Sequence, residues 1–217
     1  MIKRSVLAVV CGLLGGCAAT TTENYVPPTE HVVENSVEIK EPFDVVWDRL
    51  IRNLSEDFFV INNVERASRI INVSFSSQQA QQFIDCGTSM RTFTNVRGKQ
   101  DYTYATAGSS AYTTTDRNGI AFNVFRSTKL DGRANVYVAP AGDKATSVSV
   151  NAKYVFGVKY NFTNLAGQAA GVQESSIDLT TKEAGTGTHG NPAEIRVRCQ
   201  ATGALERKVL EYAKTHK

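Results

Sequence analysis

The chain has 217 residues and a nearly balanced charge, with 24 lysines and arginines against 21 aspartates and glutamates. When Lys3 and Arg4 leave with the N-terminal leader described next, 22 basic residues face 21 acidic ones, a net charge of +1. This composition supplies no basic field for nucleic acid, so we expect no nucleic-acid partner. About 180 residues remain beyond the leader and a linker, which suffices for one hydrophobic core but not for two typical domains.

The first 16 residues have the organisation of a secretion leader. Lys3 and Arg4 provide a positive start, Ser5–Leu14 is almost wholly apolar, and two glycines then precede Cys17. An apolar run of about ten residues is roughly half the length of a spanning helix. The pattern therefore predicts a signal peptide over 1–16 rather than a transmembrane anchor.

The four residues Leu14-Gly15-Gly16-Cys17 resemble the lipobox of bacterial lipoproteins. The resemblance implies that Cys17 is acylated and becomes the first residue of the mature chain, with more acyl chains than stable membrane anchoring needs. An aspartate directly after the lipobox cysteine would resemble an inner-membrane retention signal, but this chain has Ala18 at that position. The resemblance therefore implies the outer membrane, with the protein facing the periplasm. The alternative is an unlipidated leader with a chance cysteine.

The segment from Cys17 to Asn35 is rich in Thr, Glu, Asn and Pro and shows no sustained hydrophobic period. It predicts a flexible tether over 17–35, followed by a single domain over 36–217. Eighteen residues reach about 60 Å when fully extended, so the tether would let the domain stand away from the membrane.

The domain begins with an alternating strand at Ser36–Lys40 and continues into the strongest helix signal in the chain. Pro42 suits the first turn of this helix. The apolar residues that follow share one helical face, and they are Phe43, Val46, Trp47, Leu50, Ile51 and Leu54. We interpret Trp47, the only tryptophan, as a core residue.

Two strands are predicted next, at Phe58–Asn63 and Arg69–Phe75. The region from the helix to the second strand is similar to the helix-grip repeats of the BamC (NlpB) lipoproteins, which are accessories of the outer-membrane β-barrel assembly machinery. The residues that carry the resemblance are Pro42-Phe43, Val46-Trp47, Leu50, Phe59, Ile61, Arg66, Ile70-Ile71 and Val73. These are packing positions, so the resemblance implies a helix-grip fold more than a function.

The remaining sequence alternates strand signals of different strength. Strands are predicted at Met90–Val96, Ile120–Phe125, Gly132–Val138, Thr146–Phe156, Ser175–Thr180 and Glu194–Cys199. Tyr102–Thr115 indicates weak strands or a mobile hairpin, and Gly157–Val172 a long loop or short helix. A last amphipathic helix follows Thr202, with Leu205, Val209, Tyr212 and Ala213 inward. We expect an α+β fold, a curved antiparallel sheet with the N-terminal and C-terminal helices packed on one face.

Two cysteines remain after Cys11 leaves with the leader and Cys17 carries lipid. Cys86 and Cys199 would then lie in an oxidising compartment, which favours a disulfide between them. Closing a loop of roughly 110 residues would stabilise the fold by about 4–5 kcal/mol in the chain-entropy model. The alternative is two separate buried thiols.

Five aromatic residues are candidates for a partner or ligand surface. Tyr102, Tyr104 and Tyr112 lie in the weak-strand region, and Tyr160 and Phe162 lie in the predicted loop. The alternative for the first three is that aromatic residues simply favour a pleated sheet. Tyr160 and Phe162, with Tyr154 and Phe156, are candidates to line a cavity beneath the last helix.

No constellation in the sequence predicts catalysis, a metal site or a cofactor. Gly185-Thr186-Gly187-Thr188-His189-Gly190 matches the dinucleotide fingerprint by letter, but no strand-to-helix context follows, so we predict a flexible loop. None of the histidines, His31, His189 and His216, has other metal ligands at suitable spacing. Only His189 is eligible for a Ser-His-Asp arrangement, and no nucleophile motif accompanies it.

The leading hypothesis from the sequence is a non-enzymatic lipoprotein of the outer membrane. Its periplasmic domain would act as an interaction or scaffolding module of the cell envelope, with an envelope protein of unknown identity as partner. The alternative is a carrier for a small apolar ligand in a helix-grip cavity.

Overall fold

The computed structural model describes residues 19–189 and 195–215, so the predicted leader and Cys17 lie outside the described residues. In chain order the elements are β1 (Thr20–Val26), β2 (Ser36–Ile39), α1 (Phe43–Ser55), β3 (Val60–Glu65), β4 (Ile70–Ser77), β5 (Ile84–Asp85), β6 (Thr88–Asn95), β7 (Gly98–Ala105), β8 (Ser110–Thr115), β9 (Ala121–Pro140), β10 (Thr146–Asn164), β11 (Ala169–Thr180), β12 (Gly185–His189), β13 (Ile195–Ala201) and α2 (Ala204–Lys214). No helix in this part of the chain has the length and hydrophobicity that crossing a bilayer requires.

The predicted α+β class is wrong, because strands dominate the protein. Strands account for 58% of the described residues and helical residues for 14%, and these strands form three antiparallel sheets. One curved sheet with two helices on one face, the helix-grip arrangement, therefore does not describe this molecule. Part of the difference arises at 157–172, where we predicted a long loop or short helix and where most residues belong to β10 and β11. The weak strands or hairpin predicted at 102–115 form the second half of β7 and all of β8.

The large sheet is built around one very long hairpin, β9 with β10. These strands pair continuously from Thr146 with Pro140 to Asn164 with Phe122. Near the β9–β10 turn, β2 flanks the hairpin on one side and β4 and β3 on the other; near its other end, β11 and β8 flank it. The 20 residues of β9 span at most about 65 Å, more than the roughly 40 Å diameter of a compact sphere of this chain length.

The strict alternation of buried and exposed residues explains why β9 is one continuous strand. Every second residue from Val124 to Val138 is buried, and the residues between them are exposed. The buried row is mostly apolar, but it includes Arg126. It also includes Gly132, where an added Cβ would lie 2.1 Å from Cε1 of Phe75, so the phenylalanine ring of β4 fills the space of a side chain.

Both predicted amphipathic helices form, and they contact each other as well as the large sheet. Trp47 is buried on α1, which confirms its prediction as a core residue. Two buried polar residues of α1 bind the C-terminal end of α2: Arg49 Nε donates to the Ala213 carbonyl at 2.9 Å, and Asn53 Nδ2 donates to the Tyr212 carbonyl at 2.9 Å. These bonds satisfy carbonyls that a helix end leaves without intrahelical partners.

A second polar contact joins the helices beyond the end of α1. The Asp57 carboxylate accepts a hydrogen bond from Tyr212 and lies 2.8 Å from Lys208 Nζ, both on α2. Burial opposes ionisation, but the hydrogen bonds from Lys208 and Tyr212 outweigh it and lower the pKa of Asp57 to about 2. Burial and the same carboxylate raise the pKa of Tyr212.

The predicted flexible tether is wrong for the described residues 19–35. Thr20–Val26 forms β1 and pairs along its whole length with β6. The next residues lie on the core: Pro28 is buried, Gln200 Nε2 donates to the Thr29 carbonyl, and Val150 N donates to the Asn35 carbonyl at 2.8 Å. The segment therefore belongs to the fold and provides no slack between the domain and Cys17.

The remaining strands form two small sheets, in the orders β1-β6-β7 and β12-β13-β5. The glycine-rich stretch that we predicted as a loop forms β12 over 185–189, so that prediction is wrong. An added Cβ at Gly185 would lie 2.1 Å from the Asp178 carbonyl oxygen, and one at Gly187 would lie 2.6 Å from Cγ1 of Ile177. The glycines therefore allow β12 to pass close to β11.

Candidate functional site

The five predicted aromatic residues come together, but inside the protein rather than on a surface. Tyr112 and Tyr160 are buried, and Tyr102, Tyr104 and Phe162 are partly buried against the core. The rings of Tyr104 and Tyr112 stack with centroids 5.6 Å apart, and those of Tyr160 and Phe162 lie 6.4 Å apart. These residues join the small sheet of β7 to the large sheet, so a partner-surface role is wrong for the buried Tyr112 and Tyr160.

Two buried arginines hold this aromatic cluster together. The Arg91 guanidinium lies 4.3 Å from the centroid of the Tyr112 ring and forms an ion pair with Glu23 of β1. The Arg126 guanidinium lies 5.6 Å from the Tyr104 ring and donates to the carbonyls of Thr106 and Gly108. Such cation–π contacts strengthen when water is excluded.

Burial dominates the electrostatics of this cluster. It raises the pKa of Glu23, against the opposing effect of Arg91. It also raises the pKa of Tyr112 and of Tyr160. The arrangement keeps the tyrosines neutral, and since its rings and charges are buried or partly buried between two sheets we interpret it as a structural contact.

Cys86 and Cys199 form a disulfide, with the two Sγ atoms 2.00 Å apart and a sequence separation of 113 positions. Cys86 directly follows β5 and Cys199 lies in β13, so the bond joins two paired strands of one small sheet. Both residues are buried. Cys17, the predicted lipidation site, lies outside the described residues.

The histidines do not form a reactive cluster in the described structure. His31 lies on the surface, with Nδ1 3.0 Å from Nε2 of Gln200. The backbone of His189 ends β12, and His216 lies outside the described residues. Within residues 19–189 and 195–215, no group of three His, Cys, Asp or Glu side chains is arranged to hold a metal ion.

Glu206 on α2 has a fully buried carboxylate. The carrier hypothesis places a ligand cavity beneath this helix. Glu206 Oε1 accepts hydrogen bonds from the Tyr154 hydroxyl at 2.9 Å and the Thr181 hydroxyl at 2.8 Å, while Oε2 has no partner among the described residues. Burial and Glu206 raise the pKa of Tyr154. Phe156 is also fully buried, and the described clefts open to solvent, so the carrier hypothesis gains no support here.

The best candidate for a binding site is a row of asparagines on the outward face of the large sheet. This amide row consists of Asn35, Asn62, Asn72, Asn135 and Asn151. Asn72 lies opposite Asn135 on β9, and Asn135 lies opposite Asn151 on β10. Asn62 Nδ2 donates to Asn72 at 3.1 Å, Asn72 to Asn135 at 2.5 Å, and Asn35 to Asn151 at 3.1 Å.

These hydrogen bonds hold the amides in fixed orientations while their outer edges face solvent. Each amide has two donor hydrogens and two acceptor lone pairs. Asn72 makes two bonds within the row and Asn35 Nδ2 also donates to the Val150 carbonyl, whereas Asn135 and Asn151 each accept one bond within the row and keep most of their capacity for a ligand. Neighbouring strands lie about 4.8 Å apart, so the row presents uncharged hydrogen-bonding groups at a regular spacing.

The rows on either side of the asparagines add an aromatic ring and two cations. Tyr137, paired with Ile70, is 44% exposed on one side. Arg133 and Lys153 face each other across β9 and β10 on the other side. Both cations line two adjoining open clefts of about 590 and 470 Å³.

Sequence reasoning missed the amide row because its members come from separate strands. The local signal was limited to asparagines at outward positions of alternating strands, as at Asn151. Their alignment depends on register across the sheet, which sequence alternation within one strand does not specify.

No protein-family model, curated protein or solved structure shows a significant match to this chain. The resemblances to lipobox lipoproteins and to the BamC repeats therefore stay predictions.

Proposed function

We propose that this protein is a lipoprotein of the outer membrane, anchored through Cys17, whose periplasmic domain is a non-catalytic binding module of the cell envelope. The binding surface is the amide row with Tyr137, Arg133 and Lys153. Its ligand is a polyhydroxylated polymer that carries carboxylates, the chemistry of a cell-wall glycan.

The amide row is the observation that carries this proposal. Sugar hydroxyls both donate and accept hydrogen bonds, and an amide offers both functions from one plane. Tyr137 supplies an exposed aromatic face for the apolar side of a sugar ring, and Arg133 supplies a planar donor for a carboxylate. Arg133 is exposed and has no carboxylate partner within 4.0 Å in the described ion pairs, whereas Lys153 is 3.0 Å from Asp178.

Co-sedimentation with protein-free cell-wall glycan tests the ligand class. We expect Asn135→Ala or Asn151→Ala to weaken binding about two- to tenfold, the effect of one lost hydrogen bond. Asn161→Ala is the matched control, because Asn161 lies on the same strand and the same outward face, away from the row. Arg133→Gln should weaken binding to native glycan but not to glycan whose carboxylates have been amidated.

Two outcomes would overturn parts of the proposal. Equal sedimentation of the wild-type protein and the amide-row variants would exclude the row as the glycan site. If in-cell crosslinks from Tyr137 captured one envelope protein and no glycan, the partner would be a protein, as the sequence hypothesis holds. Absence of acyl label on the wild-type protein would refute the anchor at Cys17.

A further inference from the structure

The N-terminal end of the described chain emerges beside three turns of the fold. Thr20 pairs with Thr94, which lies just before the β6–β7 turn. Thr21 Oγ1 accepts a hydrogen bond from the backbone N–H of Thr115, just before the β8–β9 turn, at 3.0 Å. Asn164, which precedes the β10–β11 turn, pairs with Phe122 at the start of β9. We call the turns at 96–97, 116–120 and 165–168 the turn end.

Each turn of the turn end exposes one aliphatic side chain. Val96 is 74% exposed, Ile120 is 56% exposed and Leu165 is 64% exposed. Leu165 lines a surface cleft with Arg97 and other residues around the β6–β7 turn, so these turns are neighbours in space. Exposed aliphatic residues gathered on adjacent turns are unusual for a surface that faces only water.

Two of the charged side chains at the turn end are cations that remain available to bind an anionic ligand. Arg97 and Arg117 are exposed and have no ion-pair partner among the described residues. The two acids nearby are occupied: Asp101 lies 3.2 Å from Lys99, and Asp116 accepts hydrogen bonds from backbone N–H groups of its own turn. Cations beside exposed aliphatic residues suit the surface of an anionic bilayer.

Chain length places the anchor at the same end. Cys17 precedes Ala19 by two residues, which span at most about 7 Å. Because the segment that follows is paired and docked rather than slack, an acylated Cys17 brings the turn end to the membrane surface.

We propose that the turn end rests on the membrane that holds the acylated Cys17, with Val96, Ile120 and Leu165 at the headgroup level and Arg97 and Arg117 against anionic lipid. This inference rests on the proposed anchor. The β9–β10 hairpin then rises from the bilayer and carries the amide row away from it. Asn135 is 14 residues along β9 from Ala121, a distance of at most about 45 Å.

The test uses the full-length acylated protein in vesicles of phosphatidylethanolamine with phosphatidylglycerol. Cys86 and Cys199 are bonded and Cys17 is acylated, so one added cysteine can carry an environment-sensitive dye. Labels follow Val96→Cys, Ile120→Cys or Leu165→Cys. Val60→Cys is the control, because Val60 is also aliphatic and 61% exposed but lies on β3 near the other end of the hairpin.

We expect a blue shift and strong quenching by quencher-labelled lipids for dyes at the three turn-end positions, and neither effect at position 60. Vesicle flotation separates this inference from the proposed anchor. Protein that fails to float with the vesicles refutes the anchor. Protein that floats with unquenched turn-end dyes, or with equal quenching at position 60, refutes the orientation and would leave the turn end as a candidate protein contact.

Discussion

Breaking the ion pair between Glu23 and Arg91 tests whether the N-terminal segment is a docked strand or a flexible tether. Glu23 lies in β1, within the predicted tether, and its partner Arg91 is buried with 2% of its side chain exposed. Removing one member of a buried ion pair usually destabilises a protein by about 3–5 kcal/mol, because the other charge remains buried. Arg91 keeps its contacts with Thr114 and the Tyr112 ring, so we expect the lower limit, about 3 kcal/mol, for Glu23→Ala.

Urea denaturation of the oxidised protein, followed by the fluorescence of Trp47, measures this change. Thr22→Ala is the control, because Thr22 is the exposed neighbour of Glu23 on the same strand, and it should change the free energy of unfolding by less than about 0.5 kcal/mol. The double variant Glu23→Leu with Arg91→Met should recover most of the loss, since paired apolar replacements of a buried ion pair are often tolerated. Equal, small effects of Glu23→Ala and Thr22→Ala would mean that β1 is detached from the core, and the inferred membrane orientation would fail with it.

Substitutions at three further sites test other parts of the fold by denaturation. Gly132→Ala should destabilise the protein by about 1–3 kcal/mol through overpacking against the phenylalanine ring it faces, whereas Gly157→Ala, with no atom closer than 3.8 Å, should be nearly neutral. Replacing Cys86 and Cys199 together by alanine should lower stability by up to about 5 kcal/mol, and two titratable thiols in unfolded wild-type protein would contradict the bridge. Because the folded pKa of Asp57 is about 2, its stabilisation is present above the usual carboxyl pKa and is lost as the pH falls through 2. Asp57→Asn should therefore remove about 1 kcal/mol at pH 6, after allowance for solvent screening, and close to nothing at about pH 1, below both the folded and the unfolded pKa; equal effects at both pH values would contradict this assignment.

Local periodicity was enough to predict the two helices, because the stripe from Phe43 to Leu54 needs only residues three and four apart. The continuous β9 was not predictable in the same way. Arg126 occupies an inward position whose partners, the carbonyls of Thr106 and Gly108, lie about 20 residues earlier in the chain. An inward charge breaks the hydrophobic alternation that defines a strand in sequence.

Dependence on distant partners also explains why the sequence did not predict β1, which we expected to be a tether, or the amide row. β1 has a polar sequence because its inward residue Glu23 meets a buried arginine 68 residues away. The amide row needs Asn72, Asn135 and Asn151 from three strands in one register. Both depend on pairings between distant segments, and neither leaves a periodic signal within one segment.

The most direct test of the proposed anchor and orientation is energy transfer from a dye on the full-length protein to acceptor lipids at the vesicle surface. Dyes are placed by Ile120→Cys at the turn end and by Asp143→Cys in the β9–β10 turn, at the other end of the hairpin. We expect strong transfer from position 120 and weak transfer from position 143, because the hairpin between them extends up to about 65 Å. Strong transfer from both positions would show that the domain lies flat on the membrane, and weak transfer from both would show that it stands away on a flexible tether.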